Sequence, residues 1–208
     1  MKNLTLIFFI FSLLSYSQNN FTSARSIEIS ENNYEEQLRS SIVKNIELTN
    51  IGPSVMSGRV TDLEVNPNNP TEFYVAYASG GLWHTKNNGT TFSPIMDNSM
   101  TQNIGDFAID WKSNSIYVGT GESNSSRSSY PGIGILKSND NGSTWTNIGL
   151  RDSHHISRVL VNPNNENHIV VAVIGHLYTK NTQRGIFTSF DNGQTWKKSL
   201  FINDHTGA

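Results

Sequence analysis

The chain has 208 residues, of which 36% are hydrophobic and 15% charged, a composition typical of a folded domain rather than a disordered one. A formal net charge of -2 without a basic run excludes the electrostatic surface of a nucleic-acid binder, so we expect no nucleic-acid partner. Because there is no cysteine, disulfides, thiolate metal sites and cysteine nucleophiles are excluded together.

The N-terminus has the features of a signal peptide. Lys2 supplies the positive charge, residues 4–14 supply an apolar core, and Ser15 and Ser17 place small side chains at the two positions that signal peptidase reads. A membrane anchor is the alternative, but a spanning helix needs about 20 apolar residues and this run is shorter. We therefore expect a signal peptide over residues 1–17, cleavage before Gln18, no membrane span in the mature chain, and a secreted, periplasmic or cell-surface location.

Residues 18–50 form an N-terminal extension that differs from the rest of the chain. Within it, residues 31–47 are polar with scattered apolar positions. This pattern is compatible with a short helix or with an extended segment that precedes the first repeat. Both alternatives stay open from the sequence.

A twelve-residue motif then occurs three times. Its copies begin at Gly81, Gly134 and Gly185, which are 53 and then 51 residues apart. An Asn-Pro-Asn-Asn turn lies upstream in the first and third units, at residues 66–69 and 162–165. Segments rich in β-branched and aromatic residues lie between these turns, and they predict four short strands in each unit. In the third unit the predicted strands cover residues 156–161, 168–173, 185–189 and 196–200.

Four antiparallel strands repeated at about fifty residues are typical of a propeller blade. The sequence therefore predicts an all-β fold, a partial β-propeller over residues 51–208 with blades at about 57–97, 102–149 and 153–201. Because known propellers close with 4–8 blades, three blades lead us to expect a truncated chain. The alternative is that two three-bladed chains associate into a six-bladed ring.

The repeated motif reads Ser/Thr-x-Asp/Asn-x-Gly-x-Thr-Trp/Phe, and its residue types suit a turn. The Asp or Asn side chain can accept hydrogen bonds from turn N–H groups, glycine adopts positive φ, and the aromatic residue packs between sheets. A calcium loop is the alternative, but the alternating carboxylates and terminal Glu of an EF-hand loop are missing. We therefore predict no metal and no cofactor, and we assign structural roles to Asn87, Gly89, Phe92, Asp140, Gly142, Trp145, Asp191, Gly193 and Trp196.

These motifs resemble the Asp-box, or bacterial neuraminidase repeat, of sialidases, xyloglucanase-type glycoside hydrolases and sortilin/VPS10 propellers. Longer strings at residues 50–59, 79–83, 119–124 and 152–156 resemble large secreted bacterial proteins with an N-terminal sortilin-like propeller, often labelled glycosyl hydrolase. The resemblance covers the chain from about residue 48 to its end. It implies a propeller that holds a peptide, protein or carbohydrate ligand on its top face or in its central channel.

Strand alternation places the second-to-third-strand loops and the blade-to-blade connections on the face opposite the repeated turns. The longest of these loops cover residues 121–132 and 175–184, and function usually lies on such loops over a rigid scaffold. The candidate ligand-binding residues on this face are Arg59, Glu122, Arg127, Tyr130, His154, His155, Arg158 and His176.

Each candidate has a functional and a structural interpretation. Glu122 is a possible acid or base, an ion-pair partner of Arg59 or Arg158, or a cap for backbone N–H groups. Arg127 and Tyr130 could grip a carboxylate or stack on a sugar. The three histidines could titrate or bind a ligand. Because adjacent residues on a strand point to opposite faces, His154 and His155 are not expected to chelate one metal.

Two functions stay open from the sequence. The first is a secreted binding or scaffold module for a peptide, protein or glycan. The second is a sialidase- or xyloglucanase-like glycoside hydrolase, which needs two facing carboxylates. The resemblance places a xyloglucanase acid just before Gly80, where this chain has Ala78 and Ser79, and the Arg-Ile-Pro signature of sialidases is absent. We assign no catalytic residue and expect the 208-residue chain itself to be inactive.

Overall fold

The computed structural model describes residues 21–46, 58–124 and 129–208, so the predicted signal peptide lies outside the described residues. Within these ranges, helix α1 (Ala24–Ser40) precedes twelve β-strands. The helical alternative for the N-terminal extension is therefore the one observed, although the helix begins before the polar segment 31–47. Ser23 caps the helix, since its side chain accepts a hydrogen bond from the Ser26 N–H at 3.2 Å. No described helix is long and apolar enough to cross a membrane.

The strands form three antiparallel sheets of four, each in sequence order. The first sheet contains β1 (Val60–Val65), β2 (Phe73–Tyr77), β3 (Gly81–Thr85) and β4 (Ser93–Pro94). The second contains β5 (Ile104–Asp110), β6 (Ser115–Thr120), β7 (Ile135–Ser138) and β8 (Thr146–Asn147). The third contains β9 (Ile156–Asn162), β10 (Asn165–Val173), β11 (Gly185–Ser189) and β12 (Lys197–Leu200).

The sheets pack face to face, and the first strands β1, β5 and β9 lie next to one another. One core lies between the first two sheets and contains Leu82 and Ile104, and a second lies between the last two and contains Tyr117 and Ile156. All four of these side chains are fully buried. Burying a large apolar side chain contributes about 1.5–3 kcal/mol, so these interfaces hold the sheets together. Separate four-stranded sheets that meet at their first strands are propeller blades, as predicted.

The repeated turn links strands three and four of each blade by local hydrogen bonds. In blade two, Asp140 Oδ1 accepts from the Thr144 N–H at 2.9 Å, and the Ser138 hydroxyl accepts from the Gly142 N–H at 2.8 Å. The same bonds occur around Asn87 and around Asp191. The predicted bonds from turn N–H groups to the acidic or amide side chain are therefore present in all three blades.

The aromatic residue after the turn contacts the preceding blade in blades two and three, and its own blade in blade one. The Trp145 indole N–H donates to the Ile95 carbonyl of blade one at 3.1 Å, and that of Trp196 donates to the Ile148 carbonyl of blade two at 2.8 Å. In blade one, Phe92 packs edge-on against Phe73. The two tryptophans thus join neighbouring blades by a hydrogen bond as well as by packing.

Candidate functional site

The same irregularity occurs in the first strand of each blade. Pairing between the first and second strands skips one residue, which is Thr61, Gly105 or Ser157. A bulge of this kind re-aims the side chain that follows and is frequent next to functional sites. The residues after the three bulges are Asp62, Asp106 and Arg158, so these three occupy equivalent positions in the repeat.

Asp62, Asp106 and Arg158 meet where the first strands approach one another, and we call them the axial cluster. Arg158 Nη1 lies 3.3 Å from Asp106 Oδ1 and 3.7 Å from Asp62 Oδ2. Asp106 Oδ2 also accepts from the Val159 N–H at 2.7 Å. The Asp106 side chain is 3% exposed, whereas that of Arg158 is 55% exposed. The guanidinium therefore lies at the solvent-exposed end of the cluster and contacts the two carboxyl groups on its buried side.

Burial raises the pKa of Asp106 to about 7. The neighbouring Asp62 carboxyl acts in the same direction, while the Val159 N–H and Arg158 lower that pKa. Asp62 Oδ2 is buried and accepts no hydrogen bond from any described residue. The raised pKa predicts that Asp106 keeps its proton to a higher pH than an exposed aspartate does. Burial and then the charge of Asp62 raise the pKa of Glu64 further along β1.

A second contact, which we call the rim pair, joins blades one and two. Arg59 Nη2 lies 3.1 Å from Glu122 Oε2, and the Glu122 side chain is 4% exposed against 47% for Arg59. Of the two arginines proposed as partners of Glu122, the structure selects Arg59. Below this pair, His155 Nδ1 lies 2.8 Å from the Glu122 carbonyl oxygen. Burial lowers the pKa of His155, so this imidazole is neutral and donates its Nδ1–H to the carbonyl.

His154 belongs to another group, which we call the histidine pocket. Its ring stacks on that of His176 with centroids 3.6 Å apart, and Phe21 lies against His176 at 4.7 Å. Asp152 Oδ1 is 3.4 Å from His176 Nε2. Phe21, His154 and His176 border a cavity of about 320 Å³ that His155, Pro131, Leu177, Tyr178 and Thr179 also line. The histidine pocket thus places imidazoles beside an apolar wall, with the Asp152 carboxylate against His176.

The strand-alternation argument for the adjacent histidines does not apply to the structure. His154 and His155 precede β9 and are not on a strand. His154 has a φ of 54°, in the left-handed region, and its ring meets that of His155 edge-on with centroids 6.4 Å apart. The prediction that strand alternation points the two rings to opposite faces is therefore wrong.

The other predicted candidates have less defined surroundings. Arg127 lies outside the described residues. The Tyr130 ring is 50% exposed, and its carbonyl accepts the Glu122 N–H at 3.0 Å. Sequence reasoning missed Asp62, Asp106, Glu64 and Asp152. The sequence did contain a signal for two of them. Asp62 and Asp106 come two residues after the start of their strands, the position that the candidate Arg158 occupies in β9.

Comparison with known proteins supports the fold. No protein-family model and no curated protein matches the chain. Among solved structures, an ancestral GH74 enzyme matches with a TM-score of 0.52 and 18% identity, over 72% of this chain and 19% of its own length. A GH74 enzyme from Niastella koreensis matches with a TM-score of 0.39 and 20% identity, over 66% of this chain and 29% of its own length. YCF48 from Cyanidioschyzon merolae matches with a TM-score of 0.43 and 17% identity, over 69% of this chain and 38% of its own length.

The chain therefore spans between 19 and 38% of the length of these three structures. At such identities the similarity establishes the architecture alone. Together with the three radial sheets, it makes this protein a β-propeller.

Proposed function

We propose that this propeller is a binding or scaffold module that holds a carboxylate of a peptide, protein or glycan ligand against Arg59 and Arg158. The observation that carries the proposal is that each arginine pairs with a nearly buried carboxyl group and is itself half-exposed. Glu122 pairs with Arg59 and Asp106 with Arg158, while the Arg59 side chain is 47% exposed and that of Arg158 is 55% exposed. A fixed guanidinium presents planar N–H donors that match a carboxylate.

Both arginines can serve one ligand because both lie against β1. Arg59 directly precedes this strand, and Arg158 contacts Asp62 within it. Residues 59 and 62 are about 10 Å apart along an extended chain, since a strand rises roughly 3.3 Å per residue. A short acidic segment of a ligand can therefore reach both groups on the same face.

The carboxyl groups present do not favour the hydrolase alternative. A glycosidase needs two carboxyl groups about 5–9.5 Å apart, with the sugar between them. Among the described residues, Asp62 and Asp106 instead both lie against the same guanidinium, that of Arg158, and Glu122 is nearly buried in its ion pair. A glycoside hydrolase would have to place catalytic groups on further blades, so we expect no turnover of xyloglucan, sialosides or peptides by this chain.

Secretion belongs to the same proposal. We propose that residues 1–17 direct export, that the repeated turns are Asp-boxes, and that the module is sortilin-like, as the sequence resemblance implies. N-terminal sequencing of the exported protein, with cleavage expected before Gln18, tests the first of these statements. Retention of Met1 on protein that stays in the cytoplasm would contradict it.

Ligand binding is tested in two stages with the purified chain. Arrays of peptides and glycans, each present with a free and with a blocked carboxylate, identify ligands. Titration of the best ligand against Arg59→Lys and Arg158→Lys follows, because lysine keeps the charge and loses the planar donors. We expect about a tenfold loss of affinity for each variant.

Lys86→Gln is the matched control, because Lys86 is exposed beside the repeated turn on the opposite face. It removes one positive charge and should leave the affinity unchanged. Equal binding of blocked and free carboxylates, or an equal loss with Lys86→Gln, would refute the role of the two arginines. Turnover of a glycan by the wild-type chain would refute the binding-module proposal itself.

A further inference from the structure

The histidine pocket brings together three potential metal ligands from two segments. Asp152 and His154 lie in the turn before β9, and His176 lies in the loop between β10 and β11. One ligand atom from each of the three residues lies within 4.8 Å of the other two. Neither the axial cluster nor the rim pair uses any of these side chains.

Hydrogen bonds to the outer nitrogen of each ring orient the two imidazoles. His154 Nε2 lies 3.2 Å from the Thr22 carbonyl oxygen, and His176 Nδ1 lies 2.7 Å from Thr179 Oγ1. A carbonyl oxygen only accepts, so Nε2 of His154 carries the hydrogen and its Nδ1 holds a lone pair. A hydrogen on His176 Nδ1 likewise leaves a lone pair on Nε2. This is the pattern in which metal-binding histidines donate their second N–H to a supporting acceptor.

The inner nitrogen of His176 is buried and faces a carboxylate. The side chain is 2% exposed, and Nε2 makes no hydrogen bond with the described residues. Asp152 Oδ1 lies only 3.4 Å from it. When Nδ1 carries the hydrogen, the Nε2 lone pair faces the Asp152 carboxylate, and a cation between the two atoms would stabilise that arrangement.

The same separation fits a tetrahedral metal ion. Zinc binds imidazole nitrogen at about 2.0–2.1 Å and carboxylate oxygen at about 2.0–2.2 Å. Two tetrahedral ligands at these bond lengths are about 3.4 Å apart, as Asp152 Oδ1 and His176 Nε2 are. Imidazole and carboxylate donors together suit zinc better than calcium or magnesium, which prefer oxygen ligands alone.

We propose that Asp152, His154 and His176 bind a divalent transition metal ion, with zinc as the reference ion, through Oδ1, Nδ1 and Nε2. The adjoining cavity of about 320 Å³ leaves room for a fourth ligand, either water or a group of a bound molecule. This assignment revises the expectation of no metal, which considered a calcium site in the repeated turns and chelation by the adjacent pair His154 and His155. It does not depend on which ligand the two arginines bind.

Metal titration of the full chain tests the proposal. After treatment with a chelator and buffer exchange, Zn²⁺ is titrated by calorimetry and Co²⁺ by visible absorption. We expect saturation at one ion per chain, a tetrahedral Co²⁺ spectrum, and a higher melting temperature in excess Zn²⁺, because a ligand that binds only the folded state stabilises it. His154→Gln, His176→Gln and Asp152→Asn should each lower the affinity on the order of 100-fold.

His205→Gln is the matched control, because His205 Nε2 also lies 3.4 Å from a carboxylate, that of Asp204, but in an exposed pair. It should bind Zn²⁺ as the wild type does. Absence of saturable binding to the wild type would overturn the proposal. So would unchanged affinity in Asp152→Asn and His154→Gln, or an equal loss in His205→Gln. If the variants fail to fold, the wild-type Co²⁺ spectrum decides, and an octahedral spectrum would overturn it.

Discussion

Replacing Asp106 by Asn tests whether the axial cluster retains a proton. Asn has the shape of a protonated Asp, so its oxygen can accept the Val159 N–H while its amide faces Asp62. The variant loses a contact with the half-exposed Arg158, which costs at most about 1 kcal/mol. We therefore expect the free energies of unfolding of variant and wild type to agree within about 1 kcal/mol at pH 5.

The two proteins should diverge as the pH rises. The pKa of Asp106 is raised to about 7 in the folded state, above its value of about 3.9 in the unfolded chain. Between these values the folded state binds more protons, so the contribution of this group to stability is complete at low pH and is lost as the pH rises through 7. The loss reaches at most about 1.4 kcal/mol per pH unit. Asp106→Asn cannot ionise and should be the more stable protein at pH 8.

The measurement is the free energy of unfolding by urea at pH 5, 6, 7 and 8. Only the difference between variant and wild type is interpreted, because neutral buried histidines such as His84, whose pKa burial lowers, give the opposite slope. Asp110→Asn on the same strand is the control. Burial raises the pKa of Asp110, but hydrogen bonds from Ser113 and the Lys112 N–H outweigh it and leave that pKa lowered. This control should therefore be destabilised at neutral pH, with a deficit that shrinks in acid.

A difference between Asp106→Asn and the wild type that stays constant from pH 5 to pH 8 would refute the retained proton. A variant that becomes relatively less stable as the pH rises would refute it as well, because that result would show that ionised Asp106 stabilises the fold.

Two further predictions concern how the blades are joined. Gly105→Ala should lower the free energy of unfolding by about 1–3 kcal/mol or more, since a Cβ there would overlap the Ile156 carbonyl of the next blade. Thr61→Ala at the equivalent bulge is the control and should lower it by no more than about 1 kcal/mol. Equal losses in the two variants would argue against the close approach of Gly105 to Ile156. Trp196→Phe keeps an aromatic ring but removes the hydrogen bond to Ile148, and we expect a loss of about 1 kcal/mol by urea denaturation. No loss in Trp196→Phe would show that this bond between blades contributes nothing.

The sequence by itself determined the repeat, the strands and the turns. These features depend on interactions within a few residues, as in the hydrogen bonds that Asp140 accepts from residues two and four positions away. The strand bounds followed for the same reason, although β10 begins at Asn165 and not at 168 as predicted. The face that carries Arg59 and Glu122 was also predictable, because strand alternation fixes which loops share an end of the blade.

Only the tertiary structure decided which side chains meet. Asp62, Asp106 and Arg158 come from three blades, and a bulge in each first strand turns them toward one another. His154 stacks on His176 of a separate loop, in addition to its edge contact with the adjacent His155. Contacts of this kind depend on the offset and rotation between packed sheets, which the interfaces between blades set. The spacing of residues along one strand carries no information about that geometry.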